Sequence, residues 1–146
     1  MSARTVYLIK RIETEVTARM NKALTEYDMT LSQFIILNFV QDNPDDLSSA
    51  QLSRRFKMTP QSMNEVVTIL QRKDLLLKNV DTDNKRVLRI SLTDKGVDTL
   101  KQCNITIDAL ENELFGGFTE GDLDVFRNFM GRFLMGVRES DSLGIK

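Results

Sequence analysis

Five polar side chains, Gln61, Ser62, Asn64, Glu65 and Thr68, alternate at helical spacing with the apolar Met63, Val66, Val67 and Leu70. The chemistry open to such a set is hydrogen bonding. An Asn or Gln amide can pair bidentately with an adenine edge, and each good pair discriminates by about 1–3 kcal/mol. The plain alternative is that these are solvated helix-surface positions. Glu65 is open three ways: it accepts from a cytosine amino group, it repels phosphates and weakens binding, or it pairs along the helix surface with Arg72. Cations stand on both sides of this stretch. Arg54 and Arg55 precede it and suit phosphate contacts, which position without reading sequence. Lys85 and Arg86 follow in a polar segment where a basic finger can reach the negative potential of a narrow minor groove. A charged turn is otherwise simply solvated.

Other chemistries lack their residues. The chain of 146 residues has no histidine, and Cys103 is its only cysteine, which excludes an intramolecular disulfide and the usual zinc-finger and His-based arrangements. No paired-carboxylate motif, Gly-rich phosphate loop or activated cysteine marks an enzyme, so no catalytic residue, cofactor or metal is expected. Cys103 falls on an apolar helical stripe, which favours core packing over redox sensing. No apolar run approaches the roughly 18–20 residues of a membrane span, and the first ten residues lack a signal peptide's apolar core. A soluble, cytoplasmic protein is expected.

The formal charge of −1 hides a segregation. Residues 1–49 carry a net −2, residues 50–96 a net +5 and residues 97–146 a net −4. A basic middle between acidic ends fits a protein whose centre meets phosphates while its termini do something else.

The elements that must position these groups are legible from periodicity. Val6, Ile9, Ile12, Val16, Met20, Ala23 and Tyr27 recur at steps of three and four, predicting one amphipathic helix from Thr5 to Tyr27. Thr30 caps a second, carrying Phe34, Leu37 and Val40, which ends near the loop Asp42-Asn43-Pro44-Asp45-Asp46. Ser48 caps a short third helix to about Phe56. Thr59 with Pro60 opens a fourth at once, since proline's missing N–H costs nothing in the first turn. The period then changes. Leu75–Val80 and Val87–Leu92 predict a hairpin, with Leu88, Ile90 and Leu92 on one face. A fifth helix from Thr93-Asp94 carries Val97, Leu100, Cys103, Ile107, Leu110 and Leu114. Gly116-Gly117 breaks it, and Thr119 with Asp122 forms a capping box for a sixth.

The stretch from Ala50 to Val67 resembles the helix-turn-helix of the multiple-antibiotic-resistance regulator (MarR) family. Leu75-Leu76, Arg86, and Leu92-Thr93 with Gly96 match that family's wing, which ends in Leu-Thr-x-x-Gly; Thr30 and Gln33-Phe34 match its second helix. Three positions depart from its pattern: Asn84 replaces the aspartate of the tip, Glu65 an arginine of the recognition helix, and Asp74 a glycine before the first strand.

The resemblance implies a mainly α fold with a small β-hairpin wing, a winged helix-turn-helix core at about 30–93 and a helical dimerisation arm from 1–29 and 94–146. It implies a sequence-specific duplex-DNA-binding regulator that recognises a pseudo-palindromic operator, represses by occupancy and is released by a small aromatic or phenolic effector. In that frame Gln61, Ser62, Asn64, Glu65 and Thr68 face the major groove, Arg54 and Arg55 the phosphates, and Lys85 and Arg86 the minor groove. Arg11 or Arg19 can pair an anionic effector, or lie on the solvated face of the first helix. The apolar stripes of helices one, five and six exceed what a small wing domain covers alone, so Val6, Ile9, Phe126, Met130, Phe133 and Leu134 are expected in a homodimer contact. Intramolecular core is the alternative for Phe115, Phe118, Phe126, Phe129 and Phe133, which crowd the last part of the sequence. A winged-helix protein with weakened DNA binding that acts through protein partners is the second functional reading, motivated by Glu65 and Asn84.

Overall fold

Local chemistry starts and stops most of the helices. In the computed structural model, which describes residues 4–44 and 47–142, the order is α1 (Thr5–Leu24), a 3-10 turn (Thr25–Tyr27), α2 (Leu31–Asp42), α3 (Ser49–Arg55), α4 (Pro60–Arg72), β1 (Leu76–Val80), β2 (Leu88–Leu92), α5 (Asp94–Leu114) and α6 (Glu120–Ser142). Asp45 and Asp46 of the expected loop lie outside the described residues. Thr30 and Ser48 each close a capping box, with Gln33 and Gln51 returning to the cap's backbone N–H. Thr59 Oγ1 accepts from the Ser62 N–H with Pro60 in the first turn, and Thr119 and Asp122 pair reciprocally at α6. Each cap satisfies donors the helix cannot, at about 1 kcal/mol.

Three helices end in the same way. Asp28, Lys57 and Asp74 take left-handed φ values of 52°, 51° and 59°. Their own N–H groups donate to Thr25, Arg54 and Gln71, and the N–H groups of the next residues, Met29, Met58 and Leu75, donate to Leu24, Ser53 and Leu70. These are Schellman endings. At two of them the residue after the left-handed one packs into the core with its hydrogen-bond partner, Met29 with Leu24 and Leu75 with Leu70. The first ending turns the chain between α1 and α2, so the single expected helix to Tyr27 tightens after Leu24. The second is the turn of the helix-turn-helix. The third delivers α4 to the wing, and there Asp74 supplies the positive φ for which glycine is the ordinary choice.

By packing, the chain divides into residues 1–108 and 109–146. The first unit holds the core: Phe34, Ile36, Leu37 and Val40 of α2, Leu52 of α3, Met63, Val67 and Leu70 of α4, Leu76 and Ile90 of the hairpin, with Leu24, Leu100 and Cys103. The helix-turn-helix and the hairpin therefore share their core with the end of α1 and the start of α5. Polar bonds fasten the same junctions. Tyr27 Oη and Thr106 Oγ1 lie 2.6 Å apart, Asn104 donates to Asn38 Oδ1 at 3.1 Å, and Lys73 donates to the Asp28 carbonyl and, at 3.2 Å, to Gln33 Oε1. Cys103 is wholly buried, and burial pushes its thiol up, consistent with core packing.

The hairpin is antiparallel, from Leu76 opposite Leu92 to Val80 opposite Leu88. A further chain segment joins it: the Ile90 N–H donates to the Leu47 carbonyl at 2.9 Å, and Ser48 bridges Arg89. The expected inner face of β2 is realised only near its base, because Ile90 is buried while Leu88, out along the wing, is 41% exposed.

The motif Leu92-Thr93-x-x-Gly96 has a steric cause. Thr93 Oγ1 donates to the Asp74 carbonyl at 2.6 Å and accepts from the Gly96 N–H at 2.8 Å. This draws α5 so close to the hairpin that a Cβ on Gly96 would lie 2.2 Å from the Leu75 carbonyl oxygen.

In the second unit the end of α5, a turn and α6 enclose an aromatic cluster. Phe115 lies 5.5 Å from Phe118 and 5.9 Å from Phe126.

Gly96→Ala is expected to destabilise the fold by about 1–3 kcal/mol, the usual range for forced overpacking, with backbone displaced at the start of α5. Urea denaturation monitored by circular dichroism checks this, and an unchanged midpoint would contradict the close approach.

Candidate nucleic-acid interface

A helix turns by about 100° per residue, so burying Met63, Val67 and Leu70 leaves Gln61, Asn64, Glu65 and Thr68 on the opposite side of α4. Gln61, Ser62, Asn64 and Glu65 are exposed and Thr68 is half-buried. Ser62 is partly committed to its own helix start, for the Thr59 hydroxyl donates to Ser62 Oγ at 2.9 Å. Asn64 has a partner from outside the helix: Lys78 Nζ of β1 donates to its Oδ1 at 2.7 Å. Glu65 forms no ion pair with Arg72 or any other described residue, which leaves its carboxylate outward.

The two arginines of α3 differ. Arg54 is exposed. Arg55 stacks over the Phe39 ring at 5.4 Å, and that ring meets Phe56 edge-on, also at 5.4 Å. Arg55 is also exposed, and its guanidinium lies over that ring of α2 and keeps donors for an anion.

The wing is built by its acids. Asp81 Oδ1 accepts from the N–H groups of Asp83 and Asn84 at 2.7 and 3.2 Å, while its Oδ2 accepts from Arg89 Nε at 2.7 Å across the hairpin. The Arg89 guanidinium first, and those two N–H groups next, hold the Asp81 carboxyl below the usual carboxylate range. Asn84 does not grip the Arg86 side chain; its Oδ1 accepts the Arg86 N–H at 3.1 Å. The turn is therefore shaped from within, and Lys85 and Arg86 project with exposed side chains.

Sequence reasoning passed over Lys78, Asp81 and Arg89. Their positions within the basic block were visible, but their partners lie 14 and 8 residues away, and no local periodicity pairs them.

The residues expected at a chain-to-chain contact are apolar and uncovered in one chain. Val6 and Ile9 are exposed on α1, and Met130, Phe133 and Leu134 are exposed on α6, Phe133 by 50%. Phe126 behaves differently, half-buried against Phe115 and Phe118 of its own chain. Arg11 and Arg19 lie exposed on α1. Among the described residues no helix is long and apolar enough to cross a membrane.

Comparison with known proteins finds the same fold elsewhere. A model of MarR-family sequences matches residues 27–86, from the turn after α1 to the wing tip. The chain is 26% identical over 124 residues to the HTH-type transcriptional repressor Rv2887 of Mycobacterium tuberculosis, covering 85% of this chain and 88% of that protein. Among solved structures it is similar to MepR of Staphylococcus aureus in a DNA complex, with TM-score 0.82 and 20% identity over 92% of this chain and 99% of that one. It is likewise similar to Rv2887 in a DNA complex, with TM-score 0.75 and 23% identity over 90% of this chain and 98% of that one.

Because the Asp81 carboxyl is lowered in the folded wing, its support is fully present above the ordinary carboxylate pKa and is lost only as pH falls through the lowered folded value. The backbone amide signals of Thr82 to Arg86 should therefore stay dispersed through the usual carboxylate range and collapse below it, and Asp81→Asn should collapse them at neutral pH. A wing that disorders at or above the ordinary range, or an unaffected Asp81→Asn wing, would contradict this assignment.

Proposed function

We propose that the chain, which a model of MarR-family sequences matches over residues 27–86, is a regulator of that family and controls transcription by binding duplex DNA as a homodimer. In this reading one regulatory domain spans residues 1–146, with about 30–93 as the reading head and the helices before and after it as the dimer arm. The observation that carries the proposal is the pairing of two presented surfaces. One is a recognition helix whose polar face is fixed by a fully buried opposite face; the other is a hairpin tip whose internal bonds leave Lys85 and Arg86 outward. Gln61, Ser62, Asn64, Glu65 and Thr68 address the major groove, Arg54 and Arg55 its phosphate walls, and Lys85 and Arg86 the flanking minor groove. Glu65, unpaired among the described residues, suits the amino group of a cytosine and is unsuited to a phosphate.

Two-fold recognition of a pseudo-palindrome requires two copies. The uncovered Val6, Ile9, Met130, Phe133 and Leu134 support a dimer contact, with Phe126 backing α6 from within. Repression by occupancy, release by a small aromatic or phenolic effector and a cytoplasmic location complete the reading, on the strength of the family relationship.

Arg86→Ala removes one cation per subunit and two per dimer. The slope of log K against log salt should become shallower by about 0.9 per lost phosphate neutralisation, or about 1.8 in all. Arg86→Lys should restore the slope without restoring a preference for A·T-rich flanks, which depends on the planar guanidinium. A salt titration of binding to the operator reads both, and an unchanged slope and affinity in the alanine variant would remove Arg86 from the site.

Phe133→Glu places a charge in a contact that is dry in the dimer and is expected to give monomers at micromolar concentration in sedimentation velocity. A wild type that is monomeric there yet binds a palindrome tightly would sink the dimer.

A further inference from the structure

The bond between Lys78 and Asn64 joins the wing to the polar face of the recognition helix. Lys78 stands on β1 in register with Ile90, two residues from the buried Leu76 and so on the same sheet face. Lys78 as a whole is half-buried, and its ammonium lies 2.7 Å from Asn64 Oδ1 of α4. A lysine ammonium has three donors and no acceptor. It can therefore meet only the oxygen of the amide, and the Asn64 rotation follows from chemistry: Oδ1 turns toward the cation and Nδ2 is left to meet a ligand.

From this geometry we propose that Lys78 is a specificity-setting residue that converts Asn64 from an adenine reader into a donor for guanine. The inference rests on the DNA-binding reading above. Bidentate pairing with adenine needs the amide oxygen to accept from the N6 amino group while its nitrogen donates to N7. Here the oxygen is engaged by a cation, and that cation would sit beside the incoming N6 donors. Guanine presents two acceptors, N7 and O6, on the same edge. The Nδ2 donors of Asn64, together with the remaining N–H groups of Lys78, match that edge. The two residues then act as one donor head, supplied jointly by helix and wing.

The test is selection from a randomised duplex pool by the full-length wild type, Lys78→Met and Lys78→Arg, read at the half-site position whose preference Asn64→Ala relaxes. Methionine keeps the apolar stem and removes the donors; arginine keeps a donor-only head. The wild type should select guanine there. Lys78→Met should shift the guanine-to-adenine ratio by on the order of 10-fold toward adenine, in line with the worth of one such pair, while other positions hold. Lys78→Arg should retain guanine. An unchanged base preference in Lys78→Met overturns the proposal, whether affinity is unchanged or falls uniformly with a shallower salt slope, the latter marking Lys78 as a phosphate contact. A wild type that selects adenine at that position also overturns it while leaving DNA binding intact. A wild type that selects no sequence overturns the DNA-binding reading and this inference with it.

Discussion

The apolar stripe of α4 is what the rest of the reading head depends on. Met63, Val67 and Leu70 are completely removed from water, and burying side chains of this size stabilises by about 1.5–3 kcal/mol each. The larger consequence is angular. With three residues of one stripe pinned, the helix has no rotational freedom left, and Gln61, Asn64 and Glu65 must point outward whatever partner is present. The stripe packs against Leu52 of α3, the α2 residues and the base of the hairpin within one core, so the recognition face and the wing are set by the same set of contacts. A cavity in that core would disturb both together.

Helix endings supply the second constraint. Three Schellman turns fix where α2, α4 and β1 begin, and each places a non-glycine residue at positive φ. For an L-residue this costs roughly 1–2 kcal/mol, less for aspartate, whose short polar side chain tolerates the region. Asp74 departs from the family's glycine in residue type while keeping the conformation for which glycine is selected. Lys73, immediately before it, reaches back to Asp28 and Gln33, so the end of the recognition helix is fastened to the turn between α1 and α2. Any rearrangement of α1 against α2 would be felt at α4 through this link.

What could be read from the sequence alone was what acts over short range. Thr30, Ser48, Thr59 and Thr119 were identifiable as caps because their partners lie three residues on, and the α4 stripe was identifiable because a helix repeats every 3.6 residues. The Leu47 bond to Ile90, the Asp81–Arg89 pair and the Lys78–Asn64 bond were not, since each joins residues that only the folded chain brings together. One departure that motivates the reading of weakened DNA binding has a structural role in the fold. Asn84, where the family's pattern has an aspartate, shapes the backbone of the turn by accepting the Arg86 N–H, while Asp81, three positions before it, supplies the carboxylate that braces the wing. Leu88 departs from expectation: its alternation with Ile90 is correct for a strand, but the strand outruns the core that would bury it.

In the proposed complex α4 enters the major groove while the wing lies over the minor groove of the same half-site. Dimethyl sulfate separates the two, because it methylates guanine N7 in the major groove and adenine N3 in the minor groove. A methylation footprint on the selected operator should show two blocks of protected guanine N7 about one helical turn apart, 10–10.5 base pairs between centres, each flanked outward by protected adenine N3. Specific binding that leaves guanine N7 reactive throughout would contradict the account.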